Sequence, residues 1–173
     1  MYSFSLSRRR GFTLIEMVVY TAILGIIAVL AINSTLAMTR AFTSLRVSRD
    51  INSSATALFE RLTRDIRGAY GVDLAQSDLG SNPGRLTLNT KDGGGSNTTI
   101  EFYVDNGLIK IREGGVAQGT ITTTSTTATN FVVRQLSNIN TQAVKIEVTL
   151  SATRGDITRT RNFYTTVVLR GTY

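Results

Sequence analysis

Arg8-Arg9-Arg10-Gly11-Phe12-Thr13-Leu14-Ile15-Glu16 sets three cations and a glycine against the start of an almost uninterrupted apolar run. From Phe12 to Met38 that run carries a single charge, Glu16, one helical turn inside it. As a helix the run spans roughly 40 Å at about 1.5 Å per residue. That exceeds the roughly 30 Å hydrocarbon core of a bilayer, so the segment is long enough to cross one. A carboxylate near the edge of such a segment is costly unless it finds a partner. Positive charge ahead of an apolar span holds that end in the cytoplasm, which gives Arg8, Arg9 and Arg10 a topogenic reading.

The pattern changes after Arg40. Ile51, Ala55, Leu58, Phe59, Leu62, Ile66 and Ala69 recur at spacings of three and four, the apolar stripe of an amphipathic helix. Arg46 and Asp50, Glu60 and Arg64, and Arg61 and Asp65 stand four apart and are expected to pair. Between Phe12 and Arg67 the one breaker is Gly25, which membrane helices tolerate. One continuous helix is therefore predicted, its first half in lipid and its second half on a folded domain, with Gly68 and Gly71 marking its end.

From Arg85 the period becomes two. Ile100, Phe102 and Val104 alternate with Glu101 and Tyr103, and Asp105-Asn106-Gly107 supplies a tight hairpin turn. Ile109 and Ile111, then Val144 to Leu150, then Phe163 to Leu169 continue the alternation. These read as antiparallel strands, four to six in all, with one face buried against the helix. Lys91 to Asn97, with Gly93-Gly94-Gly95, reads as a flexible loop. The threonine-rich Thr120 to Thr129 reads as an exposed edge strand or a mobile loop.

The 173 residues suffice for one domain and an anchoring segment. They include no cysteine and no histidine, so no disulfide forms, and the commonest general base and metal ligand are absent. No Ser/His/Asp or Cys/His set is possible and no carboxylate pair stands out, so an enzyme is not expected. Asp92, Asp105 and Asp156 lack the spacing of a calcium loop, and no metal or other cofactor is predicted. Arg154-Gly155-Asp156 reads as a turn between strands. Removing the three leader arginines lowers the formal net charge from +7 to +4. The arginines of residues 40–67 alternate with acids, which suits a solvated or subunit-facing helix side better than a nucleic-acid contact.

The block Gly11-Phe12-Thr13-Leu14-Ile15-Glu16 behind its basic leader resembles the type III signal of type IV pilin-like proteins, a family of pilins, minor pilins and type II secretion pseudopilins. The resemblance implies cleavage between Gly11 and Phe12 by prepilin peptidase and N-methylation of Phe12. It also implies an α+β fold, a long N-terminal helix packed on a C-terminal antiparallel sheet. Leu62 to Arg67 and Phe163 to Arg170 look similar to minor pilins and J-type pseudopilins. The missing helix proline and missing C-terminal disulfide depart from many major pilins.

Physical chemistry gives Glu16 a role beside that resemblance. A new ammonium on Phe12 would sit at the positive end of the helix dipole. Glu16, about 6 Å along the axis, would relieve both by meeting its own amine or that of a neighbouring subunit. A snorkelling glutamate on a plain single-pass anchor is the bland alternative. A conventional signal peptide cut after Val29-Leu30-Ala31 is another.

The expected organisation is a cleaved leader over 1–11, a transmembrane or filament-core half-helix over 12–38, an amphipathic half over 39–70, and a β domain over 71–173. The expected function is a structural subunit, minor pilin or pseudopilin, of a type IV pilus-like or type II secretion filament. Its expected partners are prepilin peptidase, other pilin or pseudopilin subunits, an inner-membrane assembly platform and, before assembly, membrane lipid. The expected place is the cytoplasmic membrane, with the β domain outside the cytoplasm, and then a filament. The alternative is a tip-located subunit that binds DNA, a surface or a secreted substrate.

Overall fold

A computed structural model describes residues 11–138 and 141–170. Arg8, Arg9 and Arg10 therefore lie outside the described residues. Helix α1 spans Leu14–Gly68, and eight antiparallel strands follow among the described residues. Helix starts at Leu14 rather than Phe12, because Thr13 caps it and leaves Gly11 and Phe12 non-helical. Contacts divide the chain into two units, Met1–Phe42 and Thr43–Tyr173.

In the first unit no described residue is buried, although nearly all are apolar. Leu24, Ile26 and Leu30 each leave about three fifths of their surface open. A contiguous apolar surface of this size marks a membrane or protein contact. Threonine hydroxyls that interrupt it are folded back on the helix: Thr21 Oγ1 donates to Met17 O at 3.0 Å and Thr35 Oγ1 to Ala31 O at 2.9 Å. α1 is long and apolar enough to cross a membrane.

In the second unit the rest of α1 buries Val47, Ile51, Ser54, Ala55, Leu58, Leu62, Asp65 and Ile66 on one face. Two sheets receive it. The first runs β1 (Gly71–Val72), β2 (Arg85–Lys91), β3 (Asn97–Asp105), β4 (Leu108–Glu113) and β5 (Val116–Thr120). The second runs β6 (Thr126–Asn138), β7 (Thr141–Arg154) and β8 (Ile157–Val168). Within each sheet every strand pairs with its sequence neighbours, so each sheet is a meander. Leu86, Leu88, Phe102, Ile109 and Ile111 from the first sheet join Phe131, Val133, Ile146, Val148 and Leu150 from the second in one core.

The strand count and the split into two sheets correct the expected single sheet of four to six strands. β6 escapes a period-two reading for a physical reason. Its register on β7 shifts between Ala128 and Asn130, and Phe131-Val132-Val133 is a continuous buried run. The Thr120–Thr129 stretch is also corrected. It ends β5, crosses over and opens β6, with Thr122 and Thr126 buried. Its hydroxyls are satisfied there: Thr122 Oγ1 accepts from Ile109 N–H at 3.1 Å, and Ser54 Oγ lies 2.9 Å from Thr123 Oγ1. The glycine-rich Lys91–Asn97 segment forms an ordered turn, in which Asp92 Oδ1 accepts from Gly94 N–H at 2.9 Å and Ser96 N–H at 2.8 Å.

Both hairpin turns read from sequence are present. Asn106 and Gly107 take φ of 51° and 73° between paired Asp105 and Leu108. Gly155 takes φ of 57° between paired Arg154 and Ile157. Of the three expected helix ion pairs, Arg61–Asp65 forms, at 2.5 Å. Arg61 also reaches Glu113 on β4, tying helix to sheet. Burial pulls the Arg61 pKa down, but the hydrogen bonds and charges of Asp65 and Glu113 together leave it raised.

Candidate functional site

Gly11, Phe12 and Glu16 fall around the first turn of α1. Thr13 is its N-cap: Glu16 N–H donates to Thr13 Oγ1 at 3.3 Å. In return Thr13 N–H donates to Glu16 Oε2 at 3.4 Å. This reciprocal arrangement is a capping box, which satisfies two backbone donors that the helix leaves open. The other carboxylate oxygen is also taken, since Tyr20 Oη donates to Glu16 Oε1 at 3.2 Å. Tyr20 turns its ring to Phe12 as well, edge to face, with centroids 6.2 Å apart and planes at 80°.

The capping box places a carboxylate at the positive end of the helix dipole. Thr13 O is the first described carbonyl bound by the helix backbone, accepting from Met17 N–H at 3.2 Å. The Gly11–Phe12 peptide therefore stands ahead of the helical ladder. A Cβ built on Gly11 meets nothing within 4 Å among the described residues. Nothing in the packing of the described residues thus calls for glycine there.

Sequence reasoning singled out Gly11, Phe12 and Glu16 but gave no role to Thr13 or Tyr20. The signal for Thr13 was legible, because Thr-x-x-Glu ahead of an apolar run is the capping-box signature. Tyr20 stands at i+4 from Glu16, on the same helix face.

The three aspartates weighed as calcium ligands are dispersed. Asp92 closes its own turn, Asp105 pairs with Lys110 at 2.6 Å, and Asp156 lies in the β7–β8 turn. The second unit also carries an open groove of about 870 Å³ between α1 and β8. Phe59 and Phe163 floor it with centroids 6.2 Å apart, and Arg64 and Arg67 stand on its rim.

The family model described as the prokaryotic N-terminal methylation motif matches residues 6–32. The chain carries a type IV pilin-like prepilin signal. The match supports a pilin-like protein processed by prepilin peptidase and assembled with other pilins. The family of this motif is structural rather than enzymatic. The signal and the exposed apolar start of α1 fit anchoring in the inner membrane followed by entry into a filament. No curated protein and no solved structure matches the chain.

Proposed function

We propose that this pilin-like chain is a minor pilin or pseudopilin of a type IV pilus-like or type II secretion filament, cut between Gly11 and Phe12, methylated on Phe12 and aligned in the fibre by Glu16. The observation that carries the reading is the coincidence of the methylation motif with a helix start that leaves Gly11 and Phe12 outside and Glu16 in the first turn. Arg8 to Arg10 hold the leader in the cytoplasm, and the β domain lies on the other side of the membrane.

Cleavage leaves an ammonium on Phe12 where the helix dipole is already positive. Glu16 offsets both, on its own chain first and then across to the next subunit. Transfer into a fibre core exchanges lipid contacts for helix–helix contacts of similar apolarity, so the segment need not meet water. Head-to-tail contacts that do not close build filaments. An inner-membrane platform supplies the place of assembly.

Intact mass and N-terminal sequencing of the native protein, with and without prepilin peptidase, test the reading. A start at methylated Phe12 supports it, and a start at Ile32 transfers the cut to a conventional signal peptidase. A start at Met1 in assembled material removes the mechanism.

A tip-located binding role is the second reading, favoured by the Phe59–Phe163 groove with its arginine rim. It predicts a few end-located copies per fibre. If DNA is the partner, binding falls steeply with salt.

A further inference from the structure

Tyr20 is a phenol within a segment that otherwise reads as lipid-facing. A phenolic hydroxyl in hydrocarbon needs a hydrogen-bond partner, and so does a carboxylate. Each meets the other's requirement at 3.2 Å. The bond also divides the carboxylate. Oε1 faces Tyr20, one turn deeper, and Oε2 faces Thr13 N–H, toward the chain terminus that cleavage would create.

We propose that Tyr20 is a positioning residue for Glu16: its hydroxyl holds Oε1 so that Oε2 is presented to the amino terminus, while its ring packs in a T-shaped contact with Phe12. This rests on the reading that Glu16 aligns subunits. A free glutamate side chain samples several rotamers, and most of them do not present an oxygen to the first turn. Two anchors, one on each oxygen, select the extended arrangement along the axis. The phenol thereby lowers the ordering cost of the pairing that follows cleavage. Phe12 gains a neighbour that survives the cut, since Tyr20 and Phe12 both remain in the product.

The test uses the full-length chain in cells that build the fibre, with precursor level, cleavage and fibre incorporation measured separately. Tyr20→Phe keeps the ring and removes the donor. It is expected to be cleaved like the wild type and to enter fibres roughly three- to tenfold less, the range for one hydrogen bond in a membrane. Glu16→Val, whose side chain accepts no hydrogen bond, provides through its residual incorporation the background that separates positioning from packing. Adding Tyr20→Phe there is expected to cause no further loss, because the hydroxyl acts through the carboxylate. Tyr20→Leu, which also loses the ring, is expected to lower incorporation at least as far as Tyr20→Phe.

Wild-type incorporation of Tyr20→Phe beside defective Glu16→Val overturns the Tyr20 proposal and leaves the alignment role of Glu16 standing. Wild-type incorporation of both overturns the two together. An equal additional loss in the Glu16→Val background also overturns it, since the hydroxyl would then act independently of Glu16.

Discussion

Thr13 and Glu16 cap the same helical turn from its two ends, each backbone N–H donating to the other's side chain at 3.3–3.4 Å. Replacing Thr13 by Ala removes the acceptor for Glu16 N–H and is expected to cost the helix start about 1 kcal/mol, whereas Thr13→Ser retains it. Amide exchange over residues 14–17 in the detergent-solubilised chain checks this. The Ala variant should exchange about fivefold faster and the Ser variant close to the wild-type rate.

Glu16→Val is expected to leave cleavage after Gly11 intact, because the Gly11–Phe12 peptide stands ahead of the helical ladder and nothing else in that peptide changes. Entry into fibres should fall by at least about tenfold, as loss of hydrogen bonds to a charged group implies. Mass spectrometry of the membrane pool reports cleavage, and quantification of sheared fibres reports entry. Wild-type levels in the fibre fraction would remove Glu16 from assembly.

The helix with its stop at Gly68, the prepilin-type signal at its start and both tight turns were legible because each has a local chemical signature. Apolar spacing carried the stripe from Ile51 to Ile66, and Asn106-Gly107 carried its hairpin. What escaped depends on distant partners. Ser54 and Asp65 are polar on the buried face of α1, and they are satisfied there by Thr123 and Thr126 and by Arg61 and Arg64 respectively. β6 was hidden by its bulge, and Tyr20 by the plain apolar company it keeps.

The Lys145 ammonium, hydrogen-bonded to Glu147 at 2.8 Å, lowers the Glu147 pKa through that bond and its charge, with a smaller push from Arg134. A carboxyl depressed on folding adds stability above its ordinary value of 4.5, and loses it as pH falls through the folded value. Glu147→Gln should therefore unfold at lower urea than the wild type near neutral pH. The difference should shrink as pH drops below the ordinary carboxylate range. A difference that persists unchanged into strong acid would assign it to packing instead.

Arg61 bridges Asp65 on its own helix and Glu113 on β4, and the Asp65 side chain is only 8% exposed. Arg61→Met leaves that carboxylate buried with the exposed Arg64, 3.5 Å away, as its remaining cation. The expected loss is about 2–4 kcal/mol of domain stability, the cost of removing one partner from a buried pair. Replacing Asp65 by Leu in the same chain removes the stranded charge and should recover part of the loss. Urea unfolding of the detergent-solubilised protein measures both. Equal destabilisation of the single and double variants would show that Arg61 acts through Glu113 alone.

Gly107 and Gly155 occupy hairpin turns with positive φ, yet their surroundings differ. A Cβ on Gly107 would stand 2.6 Å from Thr127 Cγ2, whereas one on Gly155 meets nothing within 4 Å among the described residues. Gly155→Ala therefore carries only the left-handed backbone penalty, about 1 kcal/mol. Gly107→Ala carries that penalty plus a clash with a methyl group on β6, which has to rotate or shift, and is expected to cost about 2–3 kcal/mol. Thr127→Ser removes that methyl, so combining it with Gly107→Ala should bring the cost back toward that of Gly155→Ala. Urea midpoints for the two alanine variants and the combination decide the matter. Equal losses at the two turns would mean that the β3–β4 hairpin yields before Thr127 is pressed.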